Sequence, residues 1–507
     1  MLSHSGHNSK AIPENVAGRS KQRFAGSRSI MSRIDTFAAW LLFSVLLTAA
    51  LGFMLFAADL LSTRGLVVFL SLVIAEIAVA SLIYSQARGD RFDIFEPSIV
   101  ANLMFLLYYC VRPIYLMYNL DVANGIFASM NPADPFDYAW AVGYAALGLV
   151  CFQAGYFAMK LDYCETSRPQ SYLRDWDTGR SNLVVIIGGL WAMASCAMAV
   201  SAAGGIAGIL ANAGRLREVT AGYGYAILGG GFFPIGAVLL LVDQLLGHPR
   251  KFWIILFCAM SVVFPALFGN RTGIFAVLIS CIVVYAHIRR IRRPWRIAAL
   301  FMILVLVVVP LVVFLGFARE SNVGASEIPR VASTMIDNGS SFFYSQTLGE
   351  FSAVDSFAAI IHGGPSVFPF RYGETYLDAV LFIIPRSVWP AKPQAFSTAV
   401  GDYVTRNGND VPPGIIGELY VNFHLFGIVT GMFLLGRLMD FMYRRAMVGS
   451  VGALALYALL IPYFGVFLSR NFLGAGVLLL TAILPMLLAV IYIEGVKHNK
   501  RGAYVAC

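Results

Sequence analysis

Long apolar runs recur along this chain, and they constrain its fold more than any other feature. About twelve stretches reach or approach the roughly 20 residues that an α-helix needs to cross the hydrocarbon core of a bilayer. Hydrophobic residues make up 58% of the chain and charged residues 13%, against about 45–50% and 25% in soluble domains. The sequence therefore predicts an all-α polytopic membrane protein, embedded in the lipid bilayer, with about 12 transmembrane helices.

The predicted spans form two groups, separated by one long, more polar segment. Transmembrane helices 1–9 lie within residues 36–317, at about 37–58, 65–84, 97–118, 137–159, 182–204, 221–243, 252–268, 272–288 and 297–317. Transmembrane helices 10–12 lie within residues 414–493, at about 414–436, 450–469 and 471–493. The segment between the two groups, residues 318–413, is predicted to be one large loop.

Basic residues indicate how the helices are oriented. Most of the 37 lysines and arginines lie in alternate connections between spans, and such connections remain on the cytoplasmic side. Both termini are therefore predicted to be cytoplasmic: residues 1–35 as a disordered basic arm and residues 494–507 as a short tail. The 318–413 loop then faces the periplasm of a bacterial inner membrane. This topology explains the net charge of +9, so no nucleic-acid partner is expected.

The basic residues predicted on the outer side are almost all arginines. They are Arg64, Arg112, Arg215, Arg217, Arg271, Arg319, Arg330, Arg371, Arg386, Lys392, Arg406 and Arg470. The planar guanidinium suits bidentate binding of phosphate. As a set, these residues suggest an anionic ligand at the outer face, although each one alone could be a solvated loop charge.

The 318–413 loop contains helical patterns of its own. Apolar residues at positions 351, 354, 358 and 361 predict an amphipathic helix that stops at Gly363-Gly364. A second helix, interfacial or re-entrant, is predicted from Glu374 to Ile384, with Glu374 and Asp378 on its polar face. The proline-rich stretch 385–393 follows, and it holds Arg386 and Lys392 near Trp389.

A glutamate enters the top of the tenth predicted span. Glu418 and Asn422 lie four residues apart and share one helix face, while Tyr420 and His424 share another. A carboxylate at that depth is costly, and we interpret it as a functional-site residue. The alternative is that Glu418 pairs with an outer arginine for structural reasons.

Motifs for metal-dependent or nucleotide-driven chemistry carry little weight in this chain. Asp175-Trp176-Asp177 has the D-x-D form of many metal-dependent sugar transferases, but it lies in a short predicted cytoplasmic connection. The seven histidines are scattered, and the chain has no P-loop and no dinucleotide-binding glycine motif. We therefore expect no metal site and no cofactor.

The stretch from Gly373 to Gly427 resembles the bacterial oligosaccharide repeat-unit polymerases, the Wzy-type polymerases of O-antigen, capsule and exopolysaccharide. The residues that carry the resemblance are Ile384-Pro385-Arg386, Trp389-Pro390 with Lys392-Pro393, and the helix start 414–423. The stretch 268–272 is also similar. One departure is His424, where the family pattern leads us to expect glycine. This difference leaves open helix packing or substrate specificity at that point.

The resemblance implies a GT-C-like helical bundle and an inverting, metal-independent glycosyl transfer at the periplasmic face. The substrate would be a polyprenyl-pyrophosphate-linked oligosaccharide, and a flippase and a chain-length regulator are the expected protein partners. Arg215, Arg217, Arg271, Arg386, Lys392 and Arg470 are the candidates for binding the pyrophosphate. Glu418 is the first candidate for the general base, followed by Asp378 and Glu374. Trp389, Tyr420, Asn422 and His424 are candidates for binding substrate.

Two other functions fit the same outline. An O-antigen ligase-type transferase would use the same chemistry on a different acceptor. A flippase or transporter of the lipid-linked unit would more often show repeat-related halves and ionisable groups near the membrane midplane. This chain instead carries its unusual charges near the outer face, which favours the polymerase over the transporter. A non-catalytic scaffold is the remaining alternative.

Overall fold

The computed structural model describes residues 44–87, 93–118, 134–158, 176–211, 228–267, 272–289, 302, 333, 351–381, 384, 388–389, 394–405 and 411–495. Every regular element within these ranges is a helix, which confirms the predicted all-α class. In chain order the helices are α1 (Ser44–Ala57), α2 (Thr63–Ala87), α3 (Pro97–Tyr118), α4 (Pro135–Phe157), α5 (Thr178–Ala202), α6 (Gly205–Ala211), α7 (Leu228–Leu245), α8 (Lys251–Leu267), α9 (Thr272–Ile288), α10 (Ala353–Val367), α11 (Glu374–Leu381), α12 (Phe396–Thr405), α13 (Gly414–Val448), α14 (Val451–Ser469) and α15 (Phe472–Glu494).

The described helices support a multi-pass membrane protein. By length and composition, eight of them could cross a membrane: α2, α3, α4, α5, α7, α13, α14 and α15. Helices α1, α8 and α9 are apolar but shorter. Apart from Met302, the predicted ninth span, 297–317, lies outside the described residues, as does the whole N-terminal arm. The count of about 12 spans therefore stays a prediction.

Short polar residues start several of these helices. The side chain of Asp134 accepts a hydrogen bond from the backbone N–H of Phe136 at the start of α4, and Ser450 caps α14 in the same way. Asp177, the second aspartate of the D-x-D motif, accepts the first N–H groups of α5. Its carboxylate therefore serves as a helix cap.

Glycines allow α4 and α13 to cross with their backbones in contact. A Cβ atom on Gly155 would lie 2.1 Å from the carbonyl oxygen of Phe433, and one on Gly436 would lie 2.2 Å from the carbonyl oxygen of Phe152. Small residues at such crossings are typical of helix packing in membranes, where close van der Waals contact drives association. The crossing fixes α13 against α4 over the half of α13 that is remote from the 318–413 loop.

Polar contacts sort the helix ends into two groups. In one group the Asp93 carboxylate binds His287 at 2.9 Å and Tyr443 at 3.0 Å, and Glu494 accepts a hydrogen bond from Ser450. We call this the predicted cytoplasmic end. The other group of contacts lies at the opposite helix ends, together with loop helices such as α10 that are predicted to lie outside. We call these opposite ends the predicted periplasmic end. This grouping agrees with helices that alternate in direction.

Helix α13 is not the single straight span that the sequence predicts for 414–436. Its backbone leaves the helical region at Phe423 (φ −141°, ψ 24°) and His424 (φ 52°, ψ −143°). A Cβ atom on Gly427 would lie 2.3 Å from the carbonyl oxygen of Leu419, whereas eight residues of straight helix cover about 12 Å. The chain therefore reverses at 423–424. The 414–422 segment folds back along the 425–448 segment, which at about 36 Å can cross the membrane alone.

Three short helices of the 318–413 segment are described. The predicted amphipathic helix is confirmed as α10, and its backbone breaks at Gly364, where φ is 55°. The predicted helix from Glu374 to Ile384 is shorter than expected, because α11 ends at Leu381. Of the eight residues in α11 only Thr375 is buried. These helices pack at the predicted periplasmic end, beside the 414–422 segment.

Candidate functional site

Glu418 is the buried centre of the candidate site. Its side chain lies on the 414–422 segment and is only 1% exposed. One carboxylate oxygen accepts a hydrogen bond from the backbone N–H of Phe472, the first residue of α15, and the Thr375 hydroxyl also bonds to the carboxylate. Among the described residues, therefore, a peptide N–H and a hydroxyl hold this carboxylate, rather than the arginine that the structural alternative suggested.

Asn422 ties the same helix face to the loop before α11. Its side-chain N–H₂ donates to the Thr375 hydroxyl at 2.7 Å and to the Glu418 carbonyl at 2.8 Å, and its side-chain oxygen accepts the Gly373 N–H at 2.8 Å. The Arg371 N–H reaches the Val421 carbonyl at 3.0 Å. These bonds satisfy groups that the end of the 414–422 helix leaves without helical partners. The expectation that Glu418 and Asn422 share one face is confirmed, and Asn422 has a structural role on it.

The structure separates the three acidic candidates. Asp378 lies on α11, close enough to Glu418 for their charges to interact, and is partly exposed. Glu374 instead binds Arg371 at 2.8 Å in an exposed ion pair. Tyr376 lies beside Glu418 as well, and burial together with the charge of Glu418 raises the pKa of this tyrosine. We call Glu418 and Asp378, whose charges interact, the carboxylate pair; Glu374 is paired with Arg371 instead.

Only one basic candidate for the pyrophosphate site lies within the described residues. Arg470 ends α14 and is exposed, and its aliphatic stem packs beside Gly474 of α15. It precedes by two residues the Phe472 N–H that binds Glu418. The other candidates, Arg215, Arg217, Arg271, Arg386 and Lys392, lie outside the described residues. Trp389 is partly exposed. In the part of the chain that the structure describes, no three His, Cys, Asp or Glu side chains are grouped to hold a metal ion.

A buried ion pair joins α10 to α3, and it was not predicted from the sequence. Arg112 of α3 is 7% exposed, and its Nε lies 3.1 Å from the carboxylate of Asp355. The hydroxyl of Tyr138 donates to the same carboxylate at 2.8 Å. The sequence did offer a signal for each residue separately. Arg112 is one of the arginines predicted on the outer side, and Asp355 is the only acidic residue in the helical pattern 351–361. The fold was needed to join them, because they are far apart in the chain.

Aromatic rings cover the other face of the 414–422 segment. The rings of Tyr420 and His424 lie 4.7 Å apart, but His424 belongs to the reversal, so the two rings do not meet on one helix face as predicted. Tyr144 of α4 lies 5.4 Å from Tyr420, and Phe370 lies 5.6 Å from His424. The φ of 52° at His424 is a conformation that favours glycine. This backbone geometry accounts for the glycine that the family pattern led us to expect there.

Comparison with known proteins identifies the family. The O-antigen polymerase family model matches residues 93–481, which include α3, Glu418, α11 and Arg470. The chain belongs to the O-antigen polymerase family. This membership agrees with the resemblance drawn from 373–427, and it gives the protein a general role in polymerising oligosaccharides for a surface polysaccharide. Neither the curated proteins nor the solved structures gave a match to the chain.

Proposed function

We propose that the protein joins polyprenyl-pyrophosphate-linked oligosaccharide repeat units at the periplasmic face of the inner membrane. The observation that carries this proposal is that buried Glu418 lies close to Asp378 and accepts the Phe472 N–H, two residues after Arg470, in a chain that belongs to the polymerase family. In this reaction an acceptor hydroxyl attacks the anomeric carbon of the donor sugar. The new glycosidic bond forms as the bond from that carbon to the pyrophosphate oxygen breaks, with inversion.

The carboxylate pair would take the proton of the acceptor hydroxyl. The Thr375 hydroxyl bonds to the Glu418 carboxylate, and we infer that an acceptor hydroxyl takes a similar position beside it. An acceptor hydroxyl can reach this position only if α11 shifts, because Glu418 is buried. Asp378, on the exposed side of the pair, is the second candidate for this role.

Arginines would neutralise the charge that develops on the departing pyrophosphate. Arg470 is exposed beside the start of α15, and Arg215, Arg217, Arg271, Arg386 and Lys392 complete the proposed set. Replacement by lysine keeps the charge and loses the bidentate fork. Arg470→Lys is therefore expected to lower the rate of polymerisation without lowering the amount of folded protein.

Three amide substitutions test the assignment of the base. The assay uses purified protein in nanodiscs with lipid-linked repeat units extracted from a strain that lacks the gene. Glu418→Gln keeps the group that accepts the Phe472 N–H but cannot take up a proton, so it is expected to fold and to fail at extension. Asp378→Asn is expected to slow extension, and Glu374→Gln is the matched control with near-normal activity. Normal extension by folded Glu418→Gln would refute its role as the base.

The surface polysaccharide of the deletion strain separates this function from its alternatives. Loss of a polymerase leaves single repeat units on the final acceptor. Loss of a ligase-type transferase leaves long chains attached to the polyprenyl lipid, and loss of a transporter leaves single units on the cytoplasmic side. We expect single units on the final acceptor, and either of the other two patterns would exclude polymerisation as the principal role.

A further inference from the structure

Five rings from separate parts of the chain meet at the predicted periplasmic end. We call Tyr144, Phe357, Phe370, Tyr420 and His424 the aromatic cluster. Tyr420 lies at its centre, with ring centroids 4.7 Å from His424, 5.4 Å from Tyr144, 5.5 Å from Phe357 and 6.4 Å from Phe370. The rings come from α4, α10, the 368–373 loop, the 414–422 segment and the reversal that follows it. The cluster is therefore a product of the fold and has no continuous sequence motif.

The cluster has a buried base and an accessible surface. Phe357 is fully buried, whereas Tyr144, Phe370 and Tyr420 are partly exposed and His424 is exposed. A shallow recess adjoins Tyr420 and is lined by Ile360, Pro365 and Phe370 among others. Four of the five rings are thus at least partly accessible to a ligand.

The backbone beside the cluster indicates that this surface meets polar groups rather than lipid tails. The helix is interrupted at Phe423 and His424, and both residues are exposed. Such an interruption leaves backbone N–H and C=O groups without helical partners, and water or ligand hydroxyls can bond to these groups whereas lipid tails cannot. The cluster also contains two phenol hydroxyls and an imidazole, which favour polar neighbours over lipid tails.

We propose that the aromatic cluster binds a pyranose ring of the oligosaccharide substrate. One face of a pyranose ring presents mainly C–H groups, which are attracted to the negative face of an aromatic ring, while its hydroxyls can bond to the edges of Tyr and His. This inference rests on the proposed function and deepens it by naming the part of the substrate that is bound. An isoprenoid tail would leave the phenol and imidazole groups without partners.

The position of the cluster defines which sugar it holds. Tyr420 lies on a different face of the 414–422 segment from Glu418 and Asn422, and a helix with its side chains is about 10–12 Å across. The bound pyranose is therefore a non-reacting sugar, away from the bond that forms. Loss of the cluster is expected to raise KM for the lipid-linked unit and to change kcat little.

The test measures sugar binding separately from polymerisation. The probe is the free repeat-unit oligosaccharide, released by mild acid from the lipid-linked unit of the deletion strain. Saturation-transfer NMR on full-length protein in nanodiscs reports the C–H groups that contact the protein. Tyr420→Leu and Tyr144→Leu are expected to weaken binding roughly fivefold or more and to raise KM to a similar degree. Tyr420→Phe, which keeps the ring, is expected to bind with less than half of that loss.

Phe426→Leu is the matched control, because Phe426 is an aromatic residue of the same helix, 71% exposed and outside the cluster. Unchanged binding by folded Tyr420→Leu and Tyr144→Leu would overturn the proposal. So would equal losses in Phe426→Leu, or displacement of the oligosaccharide by polyprenyl phosphate. If the wild-type protein binds the oligosaccharide through these rings but extends nothing, the sugar site stands and the proposed polymerisation fails.

Discussion

The reversal of α13 rests on contacts that two matched substitutions can test. A Cβ atom added at Gly427 would lie 2.3 Å from the carbonyl oxygen of Leu419 and 3.0 Å from the Cβ atom of Phe423. The carbonyl belongs to the backbone, so it cannot move without displacing the 414–422 segment. A Cβ atom at Gly431 would meet only the end of the Leu419 side chain, at 2.4 Å. That side chain can change its rotamer.

The two alanine variants should therefore differ, although each gains about 1 kcal/mol of helix propensity. Overpacking against fixed atoms costs roughly 1–3 kcal/mol, and against a backbone carbonyl we expect the upper part of that range. Gly427→Ala should then lose about 1–2 kcal/mol of stability, while Gly431→Ala should stay within about 0.5 kcal/mol of the wild type.

Thermal unfolding in detergent, followed by the loss of the folded peak in size-exclusion chromatography, compares the variants directly. Gly427→Ala should melt below the wild type and below Gly431→Ala, and it should also lose polymerisation, because Leu419 neighbours Glu418. A Gly427→Ala variant as stable as Gly431→Ala would mean that the helix runs on through residues 423–424. That result would refute the packing of the 414–422 segment along the 425–448 segment.

Three further outcomes follow from the described contacts. His424→Gly should be more stable than His424→Ala by about 1–2 kcal/mol in the same unfolding assay, because only glycine relieves the φ of 52°. Arg112→Met should cost about 3–5 kcal/mol by leaving the carboxylate of Asp355 buried and unpaired, and adding Asp355→Leu should recover much of this loss. Although burial opposes ionisation of Asp93, the charge of His287 and hydrogen bonds keep the pKa of this aspartate lowered. The stability that Asp93 contributes should thus be present above its unfolded pKa of about 3.9 and fall as the pH drops below it, and Asp93→Asn should flatten that part of the pH profile.

The fold class could be predicted from the sequence because hydropathy and basic residues act locally. An apolar run of sufficient length must form a helix in lipid, whatever its neighbours are. The reversal at 423–424 could not be predicted in this way. The reversal depends on a backbone conformation at His424, and a histidine does not by itself indicate that conformation. The apolar pattern continues on both sides, so hydropathy does not mark the reversal either. The expectation of glycine at this position was the one trace of the reversal in the sequence.

The candidate site was predictable to the extent that it lies on one helix. The faces of the 414–422 segment follow from helical spacing, so the grouping of Glu418 with Asn422 was accessible. His424 contacts Tyr420 through the reversal, which helical spacing does not predict. The partners of these residues come from elsewhere in the chain. The Phe472 N–H that binds Glu418 is a backbone group, and no side-chain pattern marks it.

The distribution of contacts indicates which part of the site can open to admit a substrate. At the predicted cytoplasmic end, Asp93 joins separate spans by binding His287 of α9 and Tyr443 of α13. Helix α11, which covers Glu418, buries only Thr375 of its eight residues. An element with so few buried side chains opens at low free-energy cost, whereas the spans beneath it stay packed. Movement of α11 would expose the carboxylate pair toward the predicted periplasmic end, the side on which the proposed substrate is presented, and leave the bundle intact.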